Sequence, residues 1–193
     1  MKELIDGTSD TVLGSVVLVL FVAFCIGLGK VIVTFKNARY AKAWSPLIPI
    51  IGGTVVHDGG GAATSWLVGT WQGRKVQALM SPDRNRYSGE SSFTFHEFGV
   101  ELLDVPGAQD WRIEDARITK ADPALHQRLE AAGILLMIQA FGNPTVSYSR
   151  SQKRISYLED AGSRWTPTPE HFQAELGLLL RLAQVNEQVN PAS

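Results

Sequence analysis

The chain has 193 residues, of which 45% are hydrophobic and 19% charged, and its formal net charge is −1 at pH 7. This balance excludes an ordinary nucleic-acid binder, because neutralising phosphates requires clustered cations. A single cysteine, Cys25, excludes a disulfide within the chain, and the lack of disulfides fits a cytoplasmic setting.

Near the N-terminus, residues 11–29 form a run without a charged side chain, bounded by Asp10 and Lys30. About 20 apolar residues in a helix cross the hydrocarbon core of a bilayer, which is about 30 Å thick. Because apolar residues continue to Phe35, we predict a transmembrane helix over 11–35 after a short extracytoplasmic tail over 1–10. A cleavable signal peptide is disfavoured, since the tail is acidic and no A-x-A-like site follows the run.

The charges that flank the run predict its orientation. Four basic residues follow it, at positions 30, 36, 39 and 42, whereas only Lys2 precedes it. Lysine and arginine accumulate on the cytoplasmic side of a membrane. We therefore expect the N-terminus outside and the bulk of the chain in the cytoplasm.

Residues 36–45 are expected to extend the helix through the membrane interface, until Ser45-Pro46 ends it. Basic and aromatic side chains of this type settle at the level of anionic lipid headgroups. The two interpretations are a specific lipid site and a generic interfacial belt. The candidate residues for either are Lys30, Lys36, Arg39, Tyr40, Lys42 and Trp44.

From residue 46 to 193 the pattern indicates a soluble domain. The apolar PLIPIIGGTVV segment is interpreted as a packed connector or edge strand, and Gln72-Gly73 as the bend of a hairpin. Further strands are predicted in pairs or singly. They cover 65–72 with 74–80, 92–98 with 100–105 around Gly99, 111–113 or 116–118, and 145–150 with 154–158.

Two helices are predicted in the same domain. Asp122-Pro123 has the N-cap and N1 signature of one, and Thr168-Pro169-Glu170 opens a long C-terminal helix with an apolar face that includes Leu176 and Leu180. The apolar run 134–141 is a strand or a helix, a choice that periodicity leaves open. We predict an α+β fold with a mostly antiparallel sheet.

The segment WLVGTWQGRKV has the form G-x-aromatic-x-G-R-x-V, from Gly69 to Val76. With the long C-terminal helix, it resembles a loose group of uncharacterised bacterial membrane-anchored domains with a single span. The resemblance implies the fold and a location in the bacterial inner membrane. It brings no established catalytic residues with it.

Candidate sites in the domain are sparse. His57 precedes Asp58 and three glycines, and with Trp66 and Arg74 it is a candidate ligand site, against the interpretation of a flexible turn. No two histidines have metal-ligand spacing, so we expect no metal or other cofactor. No catalytic constellation is found, and the neighbouring acids Glu159 and Asp160 are interpreted as part of a solvated turn.

These observations predict a non-catalytic accessory or structural subunit of a larger bacterial membrane protein complex. The span from 11 to 35 contains no His, Asp, Glu or Arg, and Lys30 near its end is its only lysine. Such residues within a membrane are the usual mark of ion pathways and cofactor ligation. By analogy, photosynthetic reaction centres and respiratory assemblies contain subunits of this kind. The expected partners are the larger complex and anionic lipid headgroups. The alternative is a membrane-tethered ligand-binding or signalling module with its site between the sheet and the C-terminal helix.

Overall fold

A computed structural model describes residues 2–57, 65–82, 96–160 and 167–188. Side chains are described from Ser15 onward within these ranges, except at positions 36, 81, 82, 96, 97 and 160. The chain divides into two compact units, residues 1–40 and 41–193. The predicted glycine turn after His57 and the first residues of the predicted strand 92–98 lie outside the described residues.

The first helix, α1, runs from Lys2 to Trp44. The part from Ser15 to Trp44 is long and apolar enough to cross a membrane, and its most apolar window has a mean hydropathy of 2.8 with none of its residues buried. Residues 2–10, predicted as a separate tail, belong to the same helix. The second unit begins at Ala41, so the last turn of α1 is part of the domain.

The remaining elements belong to the second unit. The helices are α2 (Ile48–Ile51), α3 (Pro123–Ala131), α4 (Ile134–Ala140) and α5 (Pro169–Gln188). The strands are β1 (Thr54–His57), β2 (Ser65–Trp71), β3 (Arg74–Pro82), β4 (His96–Leu102), β5 (Trp111–Glu114), β6 (Arg117–Lys120), β7 (Thr145–Ser149) and β8 (Arg154–Asp160).

The eight strands within the described ranges form one antiparallel sheet in the order β1-β2-β3-β4-β8-β7-β5-β6. The predicted α+β class is therefore confirmed. The hairpin of β2 and β3 turns at Gln72 and Gly73, which both have positive φ, 48° and 80°. Positive φ at both central residues is the signature of a type I′ turn, whose twist matches that of the strands.

Several local predictions are corrected. Gly99 does not separate two strands, because β4 passes straight through it and pairs with β3 on one side and β8 on the other. Both alternatives near residue 115 are strands, β5 and β6, and the ambiguous run 134–141 forms α4. The PLIPIIGGTVV connector contains the short α2 before the edge strand β1.

The core lies between one face of the sheet and α5. Paired positions place Val100 beside Tyr157 and Leu102 beside Ile155 on that face, and all four side chains are fully buried. Helix α5 packs across β4 and β8, and α3 and α4 pack against α5. The buried residues of α5 are Phe172, Glu175, Leu176, Leu178, Leu179, Leu182, Ala183, Val185 and Asn186. Leu180, predicted on this face, is half-buried.

The glycine motif has structural roles in this fold. A Cβ on Gly69 would lie 2.5 Å from the carbonyl oxygen of Ile51, so only glycine allows α2 to approach β2 so closely. Arg74 forms a two-pronged ion pair with Glu187 of α5, at 2.8 and 2.9 Å, and Val76 is fully buried. The motif therefore holds the hairpin against α2 and α5.

Gly69→Ala is expected to lower the free energy of unfolding by about 1–3 kcal/mol, the usual cost of forcing extra volume into a packed region. The control is Gly177→Ala in α5, where a Cβ has nothing within 4 Å. That change should raise stability by about 0.5–1 kcal/mol, because alanine loses less entropy in a helix than glycine does. Denaturant unfolding of the two variants in detergent checks both signs, and equal effects would refute the close-approach explanation.

Candidate functional site

The predicted ligand residues do not converge. His57 pairs with Ser65 and Val56 with Trp66, so the side chains of His57 and Trp66 leave opposite faces of the sheet. Arg74 pairs with Trp71 at the far end of β2. Five strand positions separate it from Trp66 along β2, about 17 Å at the ordinary rise per residue.

Trp44, predicted at the lipid headgroups, is a core residue of the domain instead. Its side chain is fully buried, its Nε1 donates a hydrogen bond of 2.8 Å to Ser65 Oγ, and its ring centroid lies 6.1 Å from that of Phe98. Among the other interfacial candidates Tyr40 is buried, Lys30, Arg39 and Lys42 are exposed, and the side chain of Lys36 lies outside the described part.

The structure brings together three residues that the sequence did not single out as a set: Glu159, His171 and Glu175. His171 Nε2 lies 3.1 Å from Glu175 Oε1 and 3.4 Å from Glu159 Oε2. One ligand atom of each residue lies within 4.8 Å of those of the other two. We call these three residues the Glu-His-Glu cluster.

Two elements position the cluster. On β8, Tyr157 and Glu159 are two residues apart and therefore leave the same face of the sheet, towards α5. On α5, His171 and Glu175 are four residues apart and therefore lie on one side of the helix. The Phe141 ring, at the end of α4, packs edge-on against both Tyr157 and His171, with centroids 6.2 and 5.4 Å away.

The three side chains of the cluster are buried to different extents, His171 least and Glu175 most. The side chain of His171 is 39% exposed, that of Glu159 19%, and that of Glu175 0%. Neither carboxylate oxygen of Glu175 has a hydrogen-bond partner within the described structure. The His171 contact is close enough for an ion pair, but it does not have the geometry of a hydrogen bond.

The pKa of Glu175 is raised strongly above its usual value. Burial is the largest cause, because it penalises the charged form, and repulsion from the Glu159 carboxylate is the second. A proton shared between the two carboxyl groups would replace that repulsion with a hydrogen bond, which raises the pKa further. In the absence of another cation, Glu175 therefore retains a proton at neutral pH.

Tyr157 stabilises the other carboxylate. Its hydroxyl donates a hydrogen bond of 2.8 Å to Glu159 Oε2. The pKa of Tyr157 is raised, first by burial, then by repulsion from Glu175 and Glu159 and by this hydrogen bond. The hydroxyl therefore remains a donor that fixes the orientation of Glu159, and the earlier interpretation of Glu159 as part of a solvated turn is wrong.

The buried Glu175 predicts a pH-dependent stability in a solution that contains a chelator. The folded state holds the Glu175 proton more tightly than the unfolded state does, so the free energy of unfolding falls as pH rises above about 4.3, the ordinary pKa of glutamate. The slope from one proton reaches about 1.4 kcal/mol per pH unit. Glu175→Gln should remove this slope. Near pH 8, about the upper end of the pH range in which proteins are usually most stable, the variant should be more stable than the wild type.

Unfolding of both proteins at a series of pH values measures this difference. The matched control is Glu130→Gln, because Glu130 also pairs with a histidine four residues away, His126, at 3.1 Å, but is 55% exposed. The control should retain the wild-type slope. A wild-type slope that persists in Glu175→Gln would show that Glu175 is not the group that titrates.

A groove of about 230 Å³ lies on the face of the sheet that points away from α5. Glu101, with its side chain 9% exposed, accepts hydrogen bonds there from Arg154 at 3.1 Å and from Ser156 at 3.3 Å. The groove is lined by Leu79, Gly99, Glu101, Arg112, Thr145, Ser147, Ser156, Tyr157 and Leu158. Part of the space between the sheet and α5, where the sequence placed the alternative ligand site, is filled by core side chains, such as Phe98 against Phe172, whereas the Glu-His-Glu cluster lies between β8 and α5.

The sequence did carry one signal for the Glu-His-Glu cluster. Glu175 follows Phe172 by three residues and precedes Leu179 by four, so it lies on the apolar face of α5, and His171 precedes it by one turn. The contribution of Glu159 depends on how β8 packs against α5, which local spacing does not encode.

Comparison of the chain with protein-family models, with curated proteins and with solved structures finds no match.

Proposed function

We propose that the protein is a non-catalytic accessory subunit of a larger bacterial membrane protein complex, with α1 as its anchor and the domain on the cytoplasmic side. The observation that carries the proposal is the surface of α1 between Val16 and Phe35. Its large apolar side chains are exposed, from 42% at Val33 to 74% at Phe35. An apolar surface of this length is stable in lipid or against other apolar helices, not in water.

The apolar surface surrounds α1 rather than forming one stripe. Consecutive residues from Val16 to Val22 are each about half exposed or more, and they point in all directions around the helix. A helix that is hydrophobic on every side is typical of a membrane span. The basic residues Lys30, Arg39 and Lys42 after this stretch support the cytoplasmic side for the domain.

The accessory role is supported by the chemistry of the span. No His, Asp, Glu, Lys or Arg occurs between Asp10 and Lys30, and residues of these types are the usual mark of ion pathways and cofactor ligation in a span. Packing against other helices and anchoring the domain are the roles that its side chains support. The photosynthetic or respiratory character of the complex remains an analogy with other subunits that have one span.

Purification from native membranes in a mild detergent tests this proposal. We expect the tagged protein to elute at a mass well above that of one 21.1 kDa chain in a micelle, with the same companions in constant proportion. Elution of the protein alone, after extraction that preserves known membrane complexes, would contradict it.

A second candidate function is a membrane-tethered ligand-binding module. The Glu-His-Glu cluster favours it, since it joins a partly exposed histidine to a fully buried carboxylate that has no hydrogen-bond partner within the described structure. Loss of the cluster should leave the mass of the native assembly unchanged if the accessory role alone is correct. It should change the ligand content of the protein if the second role is correct.

A further inference from the structure

We infer that the Glu-His-Glu cluster is a binding site for a divalent transition cation of the zinc type, with His171 Nε2, Glu159 and Glu175 as its three protein ligands. The inference deepens the second candidate function and does not depend on the accessory role. It begins with the carboxylate of Glu175, which is fully buried and has no hydrogen-bond donor within the described structure. A buried carboxylate requires a counter-charge or a proton.

One histidine cannot donate a hydrogen bond to both carboxylates at once. His171 Nε2 carries at most one hydrogen, and the contact with Glu159 Oε2 at 3.4 Å is the one that has hydrogen-bond geometry. The contact with Glu175 Oε1 is shorter, at 3.1 Å, but it lacks that geometry. A cation between the three side chains can interact with both carboxylates at once, because ionic coordination does not depend on a single hydrogen.

The distances from His171 Nε2 to the two carboxylates are close to those between the ligands of a small cation. Bonds of about 2.0–2.2 Å from zinc to nitrogen and oxygen place neighbouring ligand atoms about 3.3–3.6 Å apart in a tetrahedron. The two measured separations from His171 Nε2 are 3.1 and 3.4 Å, and all three ligand atoms lie within 4.8 Å of one another. The two separations from His171 Nε2 are therefore close to those that tetrahedral coordination requires.

The donor set selects the class of cation. Imidazole together with carboxylates suits zinc and its neighbours in the first transition row, whereas calcium takes six to eight oxygen ligands and magnesium prefers water and oxygen. Three protein ligands leave the fourth position to water or another small donor. The 39% exposure of the His171 side chain gives the cation a path from solvent.

The surroundings support the ligands. The Tyr157 hydroxyl donates to Glu159 Oε2, the type of outer hydrogen bond that orients a ligating carboxylate. Phe141 covers the ring of His171 edge-on and limits access of water from that side. The cluster thus has an oriented carboxylate, a partly shielded imidazole and a buried carboxylate at its base.

The test uses the full chain in detergent, stripped with a chelator and titrated with Zn²⁺ by calorimetry, with bound metal measured by elemental analysis. We expect one Zn²⁺ per chain, displaced by neither Mg²⁺ nor Ca²⁺. Changes to outer-shell groups weaken metal binding by about 10–100-fold. His171→Gln and Glu175→Gln remove direct ligands, so each should weaken Zn²⁺ binding by more than that. His126→Gln is the matched control, because His126 pairs with Glu130 at the same spacing and distance on an exposed face, and it should bind as the wild type does.

Folding of each variant is checked by its thermal midpoint in chelator, where Glu175→Gln is expected to be at least as stable as the wild type. Co²⁺ gives a second readout, since its visible absorption reports four-coordinate binding in the wild type and should vanish in His171→Gln. A wild-type protein without stoichiometric Zn²⁺ would overturn the inference. So would equal binding by the wild type, His171→Gln and Glu175→Gln. Neither result would affect the mass of the native assembly, which tests the accessory role separately.

Discussion

Replacing Leu20 and Phe24 together by arginine is expected to release the protein from the membrane fraction. Both residues lie near the middle of the apolar run and are exposed, at 64% and 66%. Each arginine at the centre of a span costs about 2.5–3.5 kcal/mol on the insertion scale, and the apolar residue that it replaces had favoured insertion. The combined loss of about 6 kcal/mol is enough to abolish insertion of a single helix.

Carbonate washing of membranes, followed by immunodetection in the pellet and supernatant, measures the effect. The matched control is Leu136→Arg, which makes the same type of change at a leucine of α4 that is 71% exposed. This control should stay in the pellet with the wild type. A double variant that also stays in the pellet would show that a segment other than α1 holds the protein to the membrane.

Trp44→Ala is expected to lower the stability of the domain by about 3–5 kcal/mol, the usual cost of removing a large buried aromatic side chain. The reason is that the indole is fully buried, packs against Phe98 and donates to Ser65. In a domain of this size the thermal midpoint should fall by about 2–4 °C for each kcal/mol. Trp44→Phe keeps most of the packing but leaves Ser65 without its donor, so a smaller loss of about 1–3 kcal/mol is expected.

Thermal unfolding in detergent, followed by near-ultraviolet circular dichroism, ranks the variants. Phe35→Ala is the control, because the Phe35 side chain is 74% exposed on α1, and its midpoint should equal that of the wild type. If Trp44 served only at the headgroups, Trp44→Ala would instead match Phe35→Ala. Equal midpoints for these two variants would therefore restore the interfacial interpretation.

Local signals in the sequence predicted much of the fold. The Gln72-Gly73 bend adopts the two positive φ values that such a turn needs, and Asp122 caps α3 by accepting a hydrogen bond of 2.7 Å from the Leu125 amide. These features depend on residues within a few positions of one another. The Gly99 prediction was wrong because β4 continues through the glycine and pairs with β3 on one side and β8 on the other. Those partners lie far away in the sequence, so the local pattern does not show that Gly99 lies inside a strand.

Aromatic residues near the membrane were harder to interpret. Trp44 occurs in a basic and aromatic stretch that is typical of an interfacial belt, yet the fold of the domain places it beside Ser65 and Phe98. Tryptophan suits both a membrane interface and a protein core, since its ring is apolar and its Nε1 can donate a hydrogen bond. The residue type alone therefore does not distinguish the two locations. Only the long-range partner distinguishes them, and it is 21 residues away in the sequence.

The Glu-His-Glu cluster shows the same limitation. The spacing of His171 and Glu175 is local and was available in the sequence, whereas Glu159 reaches them through the packing of β8 against α5. A search restricted to pairs of histidines or cysteines passes over such a set. A single acidic residue on an otherwise apolar helix face is the more general signal, because burying it requires a partner.

Site-directed labelling of single cysteines tests the central claim, that α1 crosses the membrane with the domain in the cytoplasm, most directly. In a Cys25→Ser background, Ser9→Cys and Ser151→Cys place one thiol on each side of the predicted span, the second in the exposed turn between β7 and β8. A membrane-impermeant maleimide applied to intact spheroplasts should label Ser9→Cys at once and Ser151→Cys only after lysis. The reverse pattern, or equal labelling of both before lysis, would contradict the account.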